Sequence, residues 1–196
     1  MADTRDALDP AAMRAAALAR FEAIHAEDPA NQASRYHATL RGWVDRLLPE
    51  RGDALVLAAA AQHLGRFRTP RSAFPEGLEG YKKWRSTLAR KHAEEAAAIL
   101  EAVGYDAATR ERVVELITKK RLGRDPEVGA FEDAICLTFL ELEFEAFAAR
   151  TERDKVVDVV RKTWAKMAAR GREEAARLLP AFSADLRAIV EEAIRT

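Results

Sequence analysis

The sequence predicts an all-α protein, and three observations predict it. Clean period-2 runs of Val, Ile, Thr and aromatics, the mark of strands, are absent. Apolar residues recur instead at three- and four-residue spacing. Pro, Gly, Asp and Ser stand between these runs as helix stops and starts. Pro10 after Asp9 opens an Ala-rich helix through about Ala26. Ser34 closes the loop EDPANQAS and is the expected N-cap of a second helix. His37, Leu40, Trp43, Val44 and Leu47 share one face of it, and Leu48-Pro49 ends it. Asp53 is the expected cap of a third, ALVLAAAAQHL, apolar nearly all round and therefore central. The stretch Gly65 to Gly80 is irregular, with Pro70, Pro75, Arg66, Arg68 and Arg71. A loop of that length in a compact domain is more often functional than accidental. A long helix from about Tyr81 to Val103 stops at Gly104, and Asp106 starts another to about Lys120. After RLGRDP a helix runs from about Glu127 to Ala149. Asp154 begins VVDVVRKTWAKMAARG, and the tail from Arg172 forms one or two short helices.

With 196 residues, no repeat and no evident linker, one domain over residues 1–196 is expected. Hydrophobic residues are 48% and charged residues 33%, a globular rather than disordered composition. Lys+Arg and Asp+Glu both number 32, and this zero balance argues against a dedicated nucleic-acid or acidic-membrane binder. The one cysteine, Cys136, excludes an intramolecular disulfide and reads as a small buried hydrophobe in its apolar run. The first twenty residues carry no apolar core of a secretory signal. No apolar stretch approaches the ~18 residues of a membrane span, so the expected setting is cytoplasmic, without a membrane partner.

Of four histidines, His25 lies near a helix end before a polar loop and reads as solvated. The other three read as inward-facing. His37 shares a face with Leu40 and Val44, His63 ends the Ala/Val/Leu run, and His92 has Ala96 and Ile99 on its own side. Asp133 opens the apolar segment AICLTFL. Buried ionisable groups are costly unless paired, hydrogen-bonded or metal-bound. Three imidazoles and a carboxylate on separate helices make a chemically sensible divalent-metal site, suited to Mn, Fe, Co, Ni or Zn. A satisfied core histidine is the ordinary alternative at each position taken alone.

The order of these features resembles the HD-domain superfamily of helical metal-dependent phosphohydrolases. HATLRGWVDRL with His37 is similar to its first histidine helix, and AAAAQHLG to its His-Asp segment. HAEEAAAILEAVGY with His92 and FEDAICLTFLE with Asp133 are similar to its later marks. The likeness covers about Ser34 to Leu140. It implies an HD-like core over about 34–140, with flanking helices at 10–27 and 151–196. One departure stands out: Gln62-His63 replaces the adjacent His-Asp pair. The whole chain also resembles an uncharacterised family, a domain of unknown function, through QHLGRFRTPRSAFP, YKKWRSTLARKHAEEA, FEDAICLTFLE and DKVVDVVRKTWAKM.

The HD resemblance implies a metal that activates water for attack on phosphorus, with His37, His63, His92 and Asp133 as ligands. The expected ligand is then a nucleotide or other small phosphorylated metabolite. Cations hold phosphate, and Arg66, Arg71, Arg85 and Lys119 are candidates, with Gln62 beside the site. Arg85 lies two turns before His92, on nearly the same face. Glu95 is available as general base, or as a further ligand. The alternatives are an iron-dependent oxygenase variant, by resemblance alone, and a non-catalytic scaffold that binds a ligand, RNA or protein. Loss of the His-Asp pair favours the scaffold; the inward His and Asp residues favour chemistry.

Overall fold

The computed structural model describes residues 9–195. Residues 1–8, part of the segment inspected above for a secretory signal, and residue 196 lie outside them. Among the described residues there are ten α-helices and no strand, as the helical spacing predicts. The chain divides into two compact units. One takes the residues up to Arg41 together with Glu50–Lys120; the other takes Gly42–Pro49 and the chain from Arg121. The span 34–140 therefore runs from the first unit into the second.

The first unit holds α1 (Pro10–His25), the beginning of α2 (Ala33–Leu47), α3 (Asp53–Ala61), α4 (Gly77–Val103) and α5 (Ala107–Ile117). Helix α3 is the buried centre expected from its composition: Leu55, Leu57 and Ala58 to Ala61 are all buried. It packs on α1, α4 and α5, while α4 runs along α5 and touches α1. Two caps differ from expectation. Ser34 does not cap α2; its hydroxyl donates to Glu22 at 2.6 Å. The Asp28 carboxylate instead accepts from the backbone N–H groups of Ala30, Gln32 and Ala33, at 3.1, 2.9 and 2.9 Å. Asp53 is the first residue inside α3 rather than its cap. Its carboxylate pairs with Arg14 and accepts from the Tyr105 hydroxyl at 2.7 Å. Asp106 does cap α5, accepting from Thr109 N–H at 2.7 Å. The irregular stretch after α3 contains two single 3-10 turns, Arg66–Arg68 and Arg71–Ala73. Helix α4 then begins at Gly77, four residues before the expected Tyr81.

The second unit holds the rest of α2, then α6 (Pro126–Leu142), α7 (Phe144–Ala148), α8 (Arg153–Lys166), α9 (Ala169–Leu178) and α10 (Ala184–Arg195). Asp125 caps α6 by accepting from Glu127 N–H at 3.0 Å. The single helix expected to Ala149 is interrupted at Glu143, which separates α6 from α7. The interruption lets Phe144 bury itself against Phe182, ring centroids 5.4 Å apart, while Phe147 meets Phe139 at 5.9 Å. The run from Asp154 likewise breaks at Met167, which leaves helical geometry and is buried. Trp43 is anchored by donating to Glu141 at 2.7 Å. Among the described residues no helix is long and apolar enough to cross a membrane.

Candidate functional site

The four histidines all belong to the first unit, and their rings form a chain. His25, at the end of α1, stacks on His37 of α2 with centroids 3.7 Å apart and planes 13° from parallel. His37 accepts a long hydrogen bond through Nε2 from the backbone N–H of His63, at 3.4 Å. His63, just beyond α3, lies 5.9 Å from the ring of His92 on α4, and Tyr36 packs 4.9 Å from His63 on another side. Two helices, α2 and α4, and the turn after α3 therefore place three of the four predicted ligands in one neighbourhood, and α1 adds His25 to it.

Hydrogen bonding fixes what these rings present. A carbonyl only accepts, so a ring nitrogen bonded to one carries the proton. His37 Nδ1–H donates to Ala33 O and His92 Nδ1–H to Leu64 O, both at 2.6 Å. In each ring Nε2 is thus the unprotonated nitrogen, the arrangement by which a carbonyl orients a metal-binding imidazole; that of His37 takes only the long bond from His63 N–H. The Nε2 of His92 and the Oε1 of Gln62 are buried without a hydrogen-bond partner among the described residues. Burial, first of all, takes His37 down to about 3; the neighbouring His25 acts the same way and the Ala33 carbonyl against it. Burial likewise takes His92 down to about 4, against the Leu64 carbonyl. Burial, followed by the Arg66 charge, puts His63 well below the ordinary histidine value. All three imidazoles are neutral near pH 7, with their lone pairs available.

Around His63 stands positive charge. Arg66 and Lys119 are close enough for their fields to act on it. Arg66 lies over the Trp84 ring at 5.1 Å, and the Trp84 indole donates to Thr69 O at 3.0 Å, so the arginine loop is tied to α4. Lys119 occupies the left-handed region at φ 57, an uncommon conformation for a residue with a side chain, as the chain leaves α5. Gly65, at φ 63, makes the turn that follows His63.

The remaining predicted residues are placed otherwise. Arg71 donates to the carbonyls of Phe74 and Gly77, at 2.9 and 3.3 Å, and so braces its own loop. Arg85 is exposed and lies over the Tyr81 ring at 5.8 Å. Glu95, one turn after His92, accepts from Arg68 at 2.9 Å, and Arg68 also reaches Glu27 at 2.6 Å. Asp133 belongs to the second unit. It is buried in α6, where its carboxylate accepts from Ala168 N–H at 3.0 Å; burial raises its pKa against that hydrogen bond. Among the described residues, no three His, Cys, Asp or Glu side chains stand together as a ready metal site.

His25 corrects the sequence reading. It is 2% exposed rather than solvated, and its Nε2–H donates to Ala60 O at 2.8 Å. The signal was present: Ala17, Phe21 and His25 recur at four-residue spacing and all three are buried. Tyr36 and Arg41 carry no motif that singles them out in the sequence, whereas Arg68 belongs to the arginine-rich stretch named there. Tyr36 and Arg41 lie near the rings because α2 carries them there.

Against known proteins, the profile of the domain of unknown function DUF4202 matches residues 15–190. The chain belongs to that family. No curated protein and no solved structure matches it. The family match spans both units and includes every histidine discussed above.

Proposed function

We propose that the first unit carries a metal-dependent phosphohydrolase site, of the kind the HD-like order of residues suggests, acting on a small phosphorylated metabolite in the cytoplasm. One observation carries this reading. His37 and His92 both give their Nδ1 protons to backbone carbonyls and keep Nε2 unprotonated; that of His37 meets only the long bond from His63 N–H, and that of His92 is buried without a partner among the described residues. A buried acceptor without a donor, as His92 Nε2 and Gln62 Oε1 are, is electrostatically incomplete, and a cation completes it. Neutral imidazoles, with the Gln62 carbonyl nearby in sequence, fit a borderline transition metal better than Ca or Mg. Such a metal, when bound, supplies Lewis acidity toward a phosphoryl oxygen and acidifies water. The chain's own part is to hold the phosphate. Arg66, stiffened over Trp84, and Lys119 place positive charge beside His63. Glu95, on the turn after His92, is the carboxylate suited to take the proton of the attacking water.

A second reading is favoured by two specific observations: the described residues present no three-ligand set, and Gln62-His63 stands where a His-Asp pair is expected. In that reading the same cluster binds the phosphorylated compound without turning it over. One experiment separates the two. Protein purified without a metal-binding tag is analysed for metal, loaded in turn with Mn, Fe, Co, Ni and Zn, and assayed for phosphate release from nucleoside monophosphates and sugar phosphates. The hydrolase reading expects stoichiometric metal and turnover, both lost in His92→Ala. Protein that stays metal-free throughout overturns it, and metal-independent binding of the same phosphates supports the scaffold.

A further inference from the structure

A cleft of about 590 Å³ opens between α1 and α2, on the side of His37 where His25 stacks. Its volume lies within the range of small-molecule sites. Phe21 and Leu18 give it an apolar wall, and the His25–His37 pair forms part of its lining. Arg35 and Arg41 line it from α2, and Glu22 faces them from α1 with its carboxylate held by Ser34. Neither arginine makes an ion pair among the described residues. The field of Arg41 reaches both histidine rings.

His25 supplies the second, independent observation. Its Nε2 must carry the proton, because it is bonded to Ala60 O, so its Nδ1 is a lone pair. That Nδ1 is buried and has no hydrogen-bond partner among the described residues. The residue as a whole is 2% exposed and belongs to the cleft lining. A buried acceptor without a donor is uncommon in a folded protein and calls for an explanation. The cleft thus combines an apolar wall, two unpaired guanidinium groups and an acceptor that wants a donor. Guanidinium groups select carboxylate or phosphate. The acceptor selects an O–H or N–H.

We propose that this cleft binds a small organic anion: one carboxylate or phosphonate-like head held by Arg35 and Arg41, an apolar body against Phe21 and Leu18, and a hydroxyl or amine donor for His25 Nδ1. The site is separate from the cluster around His63, Arg66 and Lys119, and it stands whether or not that cluster holds a metal. His37 takes part in both through different parts of its ring: a face toward His25, and Nε2 toward His63.

Calorimetric titration of the full chain tests the proposal with four probes. 4-Hydroxybenzoate and 4-hydroxyphenylphosphonate carry all three features, benzoate lacks the donor and phenol lacks the anion. The two complete probes, or one of them, should bind with one-to-one stoichiometry, with benzoate about tenfold weaker and phenol weaker still, as loss of one good polar contact implies. Arg41→Gln and Arg35→Gln should each weaken the complete probe by about tenfold, roughly one charge-assisted contact apiece, while Arg66→Gln leaves it unchanged. Arg35 is exposed and Arg41 half-buried, and neither belongs to the buried core, so neither variant depends on rebuilding it. The ¹⁵N resonance of His25 Nδ1 should move on binding of 4-hydroxybenzoate and stay in place with benzoate. Absence of saturable binding by either complete probe overturns the proposal. So does binding indifferent to both cleft arginines, or binding lost equally in Arg66→Gln.

Discussion

Asp28 illustrates how one carboxylate sets a helix entry. Burial raises its pKa, but three backbone N–H donors outweigh that effect and hold the group below its ordinary value. The donors Ala30, Gln32 and Ala33 lie at the approach to α2, and α2 carries His37 and Arg41. Asp28→Ala should destabilise the protein by about 1 kcal/mol, as removal of a side-chain cap does. Asp28→Asn, which keeps one acceptor oxygen, should recover part of that loss. Urea denaturation midpoints of the three proteins check this; an unchanged midpoint in Asp28→Ala would show that water replaces the carboxylate without penalty. Periodicity pointed to Ser34 because it adjoins the apolar run. Which residue caps was hidden by a loop conformation, with Asn31 in the left-handed region at φ 50, that folds Asp28 back onto the helix start.

At the scale of elements, the arginine loop is positioned by its closeness to α4. A Cβ on Gly80 would lie 1.8 Å from the Pro75 carbonyl oxygen, a backbone atom that has no rotamer to yield. Gly80→Ala should therefore force the loop away from α4 and destabilise the fold by about 1–3 kcal/mol, the usual range for overpacking. Gly42→Ala in α2 is the control: nothing lies within 4 Å of the added carbon, and alanine's better helix propensity should stabilise by up to about 1 kcal/mol. Thermal unfolding of both variants measures the contrast, and equal midpoints would mean the loop gives way freely. The sequence made α3 legible because its residues are apolar all round, and α5 because Asp106 and Gly104 bracket its start. It left the breaks at Glu143 and Met167 unseen. Both residues are helix-tolerant, and the breaks follow the packing of Phe144 and Met167, which are tertiary contacts. The inward turn of His37 and His92 was legible from spacing; the carbonyls that fix their tautomers come from Ala33 on the same helix and from Leu64, 28 residues away, and only the first is local.

At the scale of the whole molecule, buried histidines couple folding to pH. His37, at about 3, and His92, at about 4, both lie below the ordinary 6.5, burial being the largest cause in each. The charges around them act in the same direction: His25, His92 and Arg41 on His37, and Arg66 and Lys91 on His92. A folded-state value below the unfolded one means that the unfolded chain takes up protons first. The stability these groups contribute is therefore fully present above pH 6.5 and is lost as the pH falls from there toward 4. Each histidine should remove about 2 kcal/mol between pH 7 and pH 5, since one unit of pKa difference corresponds to about 1.4 kcal/mol. Urea unfolding of chelator-treated protein at pH 7 and pH 5 should show this decline, and His92→Gln should show a shallower one. His92→Gln places an amide where the imidazole was, with a group that donates to the Leu64 carbonyl and none that titrates, so a slope equal to that of the parent would mean that His92 accepts its proton without unfolding.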